Sequence, residues 1–151
     1  MLATAEMITI LRSVSFFVET PDDILIQVAG LLQEVVFGMD ETIFEQGDYG
    51  DALYIIVAGR VRVHSGGRTL AIMEPRSIFG EMAVLDPEPR SASVTAIEVT
   101  RLLRLARDPF YQLMAERREV AAGITHILCQ MLRARTTSMV EDYQYCSKWR
   151  A

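Results

Sequence analysis

Residues 35 to 105 form a series of short β-rich runs that glycine or acidic turns interrupt. The runs span residues 35–37, 42–44, 53–57, 60–64, 69–73, 92–99 and 101–105. Gly47, Gly59 and Gly66 stand between runs, at places where a tight turn can need a positive φ. Short strands joined by such turns are typical of a sandwich, a barrel or a roll. The middle of the chain is therefore expected to be mainly β.

Helical patterns precede this region. Apolar residues recur at helical spacing over residues 5–18, and a second pattern runs on to Val35. Thr20 is the expected N-cap of the second helix, since Pro21 suits the first helical position and acidic residues follow it. We therefore predict N-terminal helices within residues 5–35.

Two more helices are expected after the β region, which the pattern extends over residues 36–107. Asp108 is the expected N-cap of a short helix that begins at Pro109. A longer helix over residues 119–139 follows, with one apolar stripe. The stripe consists of Val120, Ile124, Ile127, Leu128 and Met131. We predict C-terminal helices within residues 108–140 and a single domain over residues 1–151.

Composition excludes several classes of function. Half of the 151 residues are hydrophobic, which suits one buried core, and the net charge of −5 disfavours direct binding to DNA. No run approaches the ~20 apolar residues of a membrane span. Cys129 and Cys146 are expected to be reduced thiols in the cytoplasm. His64 and His126 lack metal-ligand spacing, so neither a metal nor a cofactor is expected.

One dense motif stands out. It reads Phe79-Gly80-Glu81-Met82-Ala83-Val84-Leu85, a three-residue spacer, and Pro89-Arg90-Ser91-Ala92-Ser93-Val94. Gly80 permits close approach of the backbone to a ligand, and a helical turn over residues 81–85 can point free amides at an anion. Arg90 is expected on the next strand, where its guanidinium can hold a phosphate through two parallel hydrogen bonds. With Glu81 to accept from a hydroxyl, the set suits a cyclic ribose phosphate.

This motif resembles the phosphate-binding cassette of the cyclic-nucleotide-binding domain family, of the catabolite activator protein and protein kinase A regulatory subunit type. The resemblance continues in Ile43-Phe44-Glu45-Gln46-Gly47-Asp48 and in the glycine-punctuated run at 53–63, and it covers residues 10–135. It implies a β-roll, double-stranded and jelly-roll-like, with N-terminal helices and a long C-terminal helix. It departs at Arg76-Ser77, where the family usually has Gly-Asp, so the conformation of that turn is in question.

The resemblance also implies a role for each matching residue. Glu81 would bind the ribose 2′-hydroxyl, and Arg90 would bind the exocyclic phosphate oxygens. The other positions at the cyclic nucleotide are Phe79, Gly80, Met82, Ala83, Ser91 and Ala92. The long C-terminal helix would act as a lid over the base through Ile127, Leu128 and Met131, although ordinary core helices have stripes of the same spacing.

The expected function is a sensor of a cyclic mononucleotide, without enzymatic activity, whose C-terminal helices move on binding. Ser91 is compatible with adenine and guanine, so cAMP is placed ahead of cGMP on family frequency alone. A structural ion pair between Glu81 and Arg90 is one alternative, and a degenerate module that lost its ligand is another. A cupin-type metal enzyme is disfavoured because the histidines are not clustered.

The sequence also bears on which macromolecules this chain could bind. Few residues follow Met139, so no DNA-binding domain and no direct DNA binding are expected in this chain. It is either a fragment of a larger protein or a free-standing module that acts on a separate effector. The apolar stripe of the long helix is also compatible with a homodimer.

Overall fold

The computed structural model describes residues 2–14, 17–18, 20–81, 84, 88–126, 128–129 and 132–133. Within these ranges the chain forms two four-stranded antiparallel sheets with helices beside them. The strands are β1 (Gln33–Phe37), β2 (Thr42–Phe44), β3 (Ala52–Ala58), β4 (Val61–Ser65), β5 (Arg68–Met73), β6 (Ile78–Phe79), β7 (Ser93–Ala96) and β8 (Thr100–Ala106). The prediction of a mainly β fold with flanking helices is confirmed.

The two sheets pack against each other, and strand β3 of the first sheet contributes side chains to two cores. The first sheet has the order β1-β8-β3-β6, and the second has the order β2-β7-β4-β5. Side chains alternate along a strand, so β3 presents Leu53 and Ile55 to one side and Tyr54 and Ile56 to the other. The first pair belongs to a core shared with the helices, called the helical core. The second pair belongs to a core between the sheets, called the inter-sheet core.

The helices cover the face of the first sheet that carries the helical core. They are α1 (Thr4–Ser13), α2 (Asp22–Leu31), α3 (Arg107–Glu116) and α4, described as helical over 118–126. Fully buried members of the helical core include Leu11, Ile24, Leu25, Val28 and Phe110. Ion pairs join Arg12 to Asp22 and Arg117 to Asp23, so both ends of the helical layer are tied to the start of α2.

The predicted ends of the N-terminal helices are wrong. Helix α1 ends at Ser13, not at residue 18, and α2 ends at Leu31, not at Val35. Val35 lies in β1, where it pairs with Leu102 of β8 and packs against the inter-sheet core. Five residues of β1 pair with β8, and these long-range contacts override a local spacing that also suited a helix. The β region therefore begins at residue 33, before the predicted residue 36.

Both predicted N-caps are also wrong. The cap residues are Pro21 for α2 and Ala106 for α3, and neither helix has a side-chain cap among the described residues. Asp108 lies in the first turn of α3, where its charge still favours the helix dipole. Helix α3 follows β8 directly, and the Arg107 amide donates to the Asp51 carbonyl at 2.7 Å, so the backbone itself sets where α3 begins.

The strand predictions hold in position but differ in extent. The run at 92–99 contains only the four residues of β7, because the Ala96 and Ile97 amides donate to the carbonyls of Glu41 and Arg60 and turn the chain. Strand β6 was not predicted, since its two residues are too few to show a periodic pattern. The predicted long helix is observed at 118–126, 128–129 and 132–133, and its predicted end at 134–139 lies outside the described residues.

Candidate ligand-binding site

A cavity of about 510 Å³ opens at one end of the inter-sheet core. Its lining residues come from β2, β4, β5, β6 and β7 and from the segment that joins β6 to β7. They are Phe44, Val63, Met73, Ile78, Phe79, Gly80, Glu81, Glu88, Pro89, Arg90, Ser91, Ala92 and Val94. The volume lies in the range of ~300–1,000 Å³ that small-molecule sites have. The lining combines apolar side chains with the charged Glu81, Glu88 and Arg90, as a ligand with a flat base and an anionic group requires.

The structure brings most of the predicted site residues together at this cavity. Phe79, Gly80, Glu81, Arg90, Ser91 and Ala92 all line it. Met82 and Ala83 lie outside the described residues. The Val84 amide donates to the Glu81 carbonyl at 3.2 Å, which is the hydrogen bond of a tight helical turn. The rest of the turn predicted over residues 81–85 lies outside the described residues.

Gly80 lies where the backbone leaves no room for a side chain. Its φ is +76°, in the left-handed region that favours glycine. A Cβ atom at this position would lie 2.7 Å from Nη1 of Arg90 and 3.2 Å from the Ala52 carbonyl oxygen. Glycine is therefore required both by the backbone conformation and by the arginine that packs against it.

The guanidinium of Arg90 is held by backbone carbonyl groups. Nη1 donates to the Gly80 carbonyl at 3.1 Å, and Nη2 donates to the Ala52 carbonyl at 2.7 Å. Nε is buried and has no hydrogen-bond partner within the described ranges. Arg90 lies in the extended segment before β7, not on the strand as predicted. These two bonds orient the guanidinium and leave three of its five N–H groups to donate.

Arg90 is a buried cation without an ion-pair partner in the described part of the chain. Its residual exposure is 8%, and this burial lowers the pKa of the guanidinium, while the charges of Tyr54, Asp51, Asp48 and Glu81 act in the opposite direction. Glu81 also lines the cavity but forms no salt bridge with Arg90 among these residues. The alternative of a structural Glu81–Arg90 ion pair is therefore not observed, and the carboxylate is left to accept from a ligand.

The loop between β2 and β3 holds the backbone of Arg90 from both sides. The Gly47 amide donates to the Arg90 carbonyl at 2.9 Å, and the Arg90 amide donates to the Asp48 carbonyl at 2.7 Å. Tyr49 and Pro89 form an isolated antiparallel bridge beside these bonds. Sequence reasoning noted this loop as part of the resemblance but missed its role, since only the fold brings it to Arg90.

The apolar wall was also missed. This wall consists of Val63, Met73, Ile78 and Val94, which line the cavity together with Phe44. Val63, Met73 and Val94 lie in runs that the sequence predicted as strands, whereas Ile78 lies in β6, which was not predicted. The hydrophobic pattern alone carries no sign that this end of the core is open.

No group of histidine, cysteine and acidic side chains suited to a metal ion occurs in the part of the chain that the structure describes. His64 is a strand residue whose Nε2 lies 2.8 Å from the Thr95 hydroxyl and whose Nδ1 lies 3.2 Å from the Gly66 carbonyl. Over the same residues, the helices are too short or too polar to span a bilayer.

Comparison with known families decides the assignment. A family model described as the cyclic nucleotide-binding domain matches residues 34–117, which is more than half of the chain. The chain belongs to the cyclic nucleotide-binding domain family. The matched range contains all of the residues that line the cavity. The resemblance inferred from the sequence motif is thereby confirmed.

Known proteins with the same domain support this assignment. The cyclic AMP receptor protein of Thermus thermophilus is 42% identical over 106 residues, covering 67% of this chain and 49% of that protein. The chain thus spans about half the length of this curated relative. The solved N-terminal domain of a transcriptional regulator from Streptomyces coelicolor has a TM-score of 0.80 and 29% identity, covering 86% of this chain and 94% of that one. The β-roll prediction is confirmed.

A third relative was solved with a ligand. The regulatory domain of Toxoplasma gondii PKA, a co-crystal structure with cAMP, has a TM-score of 0.70 and 28% identity. The match covers 73% of this chain and 44% of that one. Members of the cyclic nucleotide-binding domain family thus include a protein whose solved structure holds cAMP.

The predicted lid residues are only partly described. Ile127 and Met131 lie outside the described residues. Leu128 is half-buried and packs against the helical core, and it does not belong to the cavity lining. Its neighbours Val120 and Ile124 are buried members of the same core, so this stripe covers the helices and the first sheet. The assignment of a lid in this domain stays a prediction.

Proposed function

We propose that this chain is a regulatory sensor that binds a cyclic mononucleotide, cAMP in preference to cGMP, and performs no chemistry on it. The observation that carries the proposal is the buried Arg90, whose Nε lacks a partner among the described residues in the cavity that also contains Glu81. A buried cation without a counter-ion is costly, so an anion gains by pairing with it. A cyclic phosphate supplies one negative charge beside a ribose hydroxyl.

The ligand is assigned to the cavity by matching donors to acceptors. The phosphate oxygens accept from the N–H groups of Arg90 that the carbonyl groups leave free, and the ribose 2′-hydroxyl donates to Glu81. Each hydrogen bond to a charged group contributes about 1.5–3 kcal/mol. The amides of Gly80, Met82, Ala83, Ser91 and Ala92 complete the cradle, and the apolar wall takes the base. The preference for cAMP rests on the relatives that bear its name or hold it.

Coupling to the helices forms the second half of the proposal. Val84 comes directly after Ala83 of the cradle in the sequence and is fully buried in the helical core, the same core that contains Val120 and Ile124 of α4. A shift of the turn at Glu81 on ligand binding therefore changes the surface on which α4 packs. In the bound state, Ile127, Leu128 and Met131 form the lid over the base. The partner that responds to this movement is an effector protein or a second copy of the chain.

Titration calorimetry with cAMP and with cGMP tests the binding proposal. The wild type should bind cAMP with a Kd in the roughly micromolar range. Arg90→Ala should weaken binding by about 2–4 kcal/mol, or about 30- to 1,000-fold, because it removes the buried cation. Arg68→Ala, an exposed arginine on β5 outside the cavity lining, is the matched control and should bind as the wild type does.

Two results would contradict this proposal. If the folded wild type gives no heat with either nucleotide, the chain is the degenerate module of the same fold. If Arg90→Ala keeps its circular dichroism spectrum and binds cAMP as tightly as the wild type, the assignment of the phosphate to Arg90 is wrong.

Deuterium exchange with and without cAMP tests the coupling. Protection should change across residues 118–139 and across residues 80–84, because Val84 shares the helical core with Val120 and Ile124. Strand β4 serves as the internal reference. A ligand-dependent change confined to the cavity would show that the domain binds without moving its helices.

A further inference from the structure

We propose that Phe44 is a positioning residue for the phosphate-binding arginine. Its ring supports one face of the Arg90 guanidinium and thereby sets the direction in which the free Nε–H points. The proposal rests on the function proposed above, since it concerns how the same site recognises an anion. Neither the cassette motif nor the fold alone assigns this role to residue 44.

The contact between the two side chains is close. Cζ of Arg90 lies 4.0 Å from the centroid of the Phe44 ring, well inside the ~6 Å within which a cation and a ring face attract each other. Both side chains line the cavity, and Arg90 is almost fully removed from water. Desolvation strengthens such a contact, because water no longer competes for the cation.

The two carbonyl bonds of Arg90 leave one motion of the guanidinium free. Nη1 bonds to Gly80 and Nη2 bonds to Ala52, so both terminal nitrogen atoms are fixed. The plane can still tilt about the line that joins them, and this tilt moves Nε. A flat ring against one face of the plane stops the tilt on that side. Phe44 therefore limits the directions in which the Nε–H can point, and this N–H has no partner among the described residues.

Phe44 is itself firmly placed. Its backbone pairs with Val94 in the β2–β7 ladder. Its ring centroid lies 6.1 Å from that of Tyr54 and 5.9 Å from that of Phe79, and the last two rings stack at 5.3 Å with an angle of 14°. Three rings that contact one another resist rotation of any single ring. Phe44 can therefore act as a rigid support for the arginine.

An ordinary packing role makes a different prediction, and Phe37 provides the control. Phe37 packs against the same inter-sheet core as Phe44 but does not line the cavity. If both rings only fill the core, Phe37→Leu and Phe44→Leu will both lower the unfolding midpoint, and the two variants will change the affinity for cAMP by similar factors. If Phe44 orients Arg90, Phe44→Leu will weaken cAMP binding selectively.

The experiment measures cAMP affinity and the urea midpoint for five variants, one of which is Arg90→Lys alone. Phe44→Leu should raise the Kd about tenfold or more, and Phe37→Leu should stay within about threefold of the wild type. Phe44→Tyr keeps a ring face and should recover most of the affinity that the leucine variant loses. In an Arg90→Lys background, Phe44→Leu should have little further effect, because an ammonium group has no plane to orient.

Equal effects of Phe44→Leu and Phe37→Leu on the Kd would overturn the proposal, as would a full Phe44→Leu effect in the Arg90→Lys background. The Nε–H resonance of Arg90 supplies a readout without ligand, since the ring should shift it upfield in the wild type and not in Phe44→Leu. If the wild type binds no nucleotide, the proposed function fails, and this resonance still decides whether Phe44 orients the guanidinium. An unchanged resonance in Phe44→Leu would refute the positioning role by itself.

Discussion

Comparing Gly80→Ala with Gly66→Ala separates the effect of backbone strain on stability from the effect of a displaced Arg90 on ligand binding. Gly80 has φ of +76°, and the added Cβ would lie 2.7 Å from Nη1 of Arg90. Gly66 provides a matched control, since its φ is +59° and a Cβ there would meet no atom within 4 Å in the described part of the chain. Both replacements place alanine in the left-handed region, but only one displaces the arginine.

The expected magnitudes follow from these two environments. A left-handed backbone destabilises an L-residue by about 1–2 kcal/mol. Alanine also lowers the conformational entropy of the unfolded chain, which offsets part of this effect. Gly66→Ala should therefore lower the free energy of unfolding by about 1 kcal/mol. Gly80→Ala should lose more, because the guanidinium must move away from the Gly80 carbonyl. A misplaced Arg90 loses at least one charged hydrogen bond to the phosphate, which is about 1.5–3 kcal/mol or a 10- to 150-fold rise in Kd.

Urea unfolding and calorimetry with cAMP measure the two effects on the same samples. Gly66→Ala should lose stability and keep the affinity of the wild type, whereas Gly80→Ala should lose both. A Gly80→Ala variant that binds cAMP as tightly as Gly66→Ala would refute the reasoning, since the arginine would then not depend on the missing side chain.

Two further predictions concern stability. Arg76 has φ of +75°, so Arg76→Gly should raise the free energy of unfolding measured in urea by about 1 kcal/mol. Ser77→Gly is the control, because residue 77 has no positive φ, and it should lower the free energy of unfolding. The opposite order would show that the backbone of Arg76 is not strained. The hydrogen bond from Arg117 lowers the pKa of Asp23 below its ordinary value of 3.8. The contribution of ionised Asp23 to the free energy of unfolding is therefore fully present above the ordinary pKa and is lost as pH falls through the lowered pKa. Asp23→Asn should be less stable than the wild type at neutral pH and equal to it in acid, whereas a gap independent of pH would contradict this.

The left-handed conformation of Arg76 also answers the question that the sequence raised at this turn. Arg76 stands where the family usually has glycine, and its backbone adopts a conformation that glycine would adopt without strain. Its amide donates to the Ile56 carbonyl at 2.9 Å, and the Ile56 amide donates to the Ser77 carbonyl at 3.0 Å. Pairing with β3 thus maintains the turn despite the substitution.

Gly80, Glu81 and Arg90 were predictable because the requirements of an anion site are partly local. A glycine, a short turn and an arginine at fixed spacing are visible in a single stretch of sequence. The positions of most strands were predictable for a similar reason, since alternation and turn residues act over a few neighbours. The motif residues that the structure describes at the cavity therefore lie together as expected, and their roles in binding stay predictions.

The sequence by itself determined the mainly β class, the glycine turns and the motif that supplies the charges, all of which depend on interactions between near neighbours. Tertiary structure decided that Val35 belongs to a strand, that the Ala52 carbonyl holds Arg90 from 38 residues away, and that Phe44 lies against its guanidinium. These contacts form only when distant strands pair, and the free energy of burying shared surface then outweighs local preference.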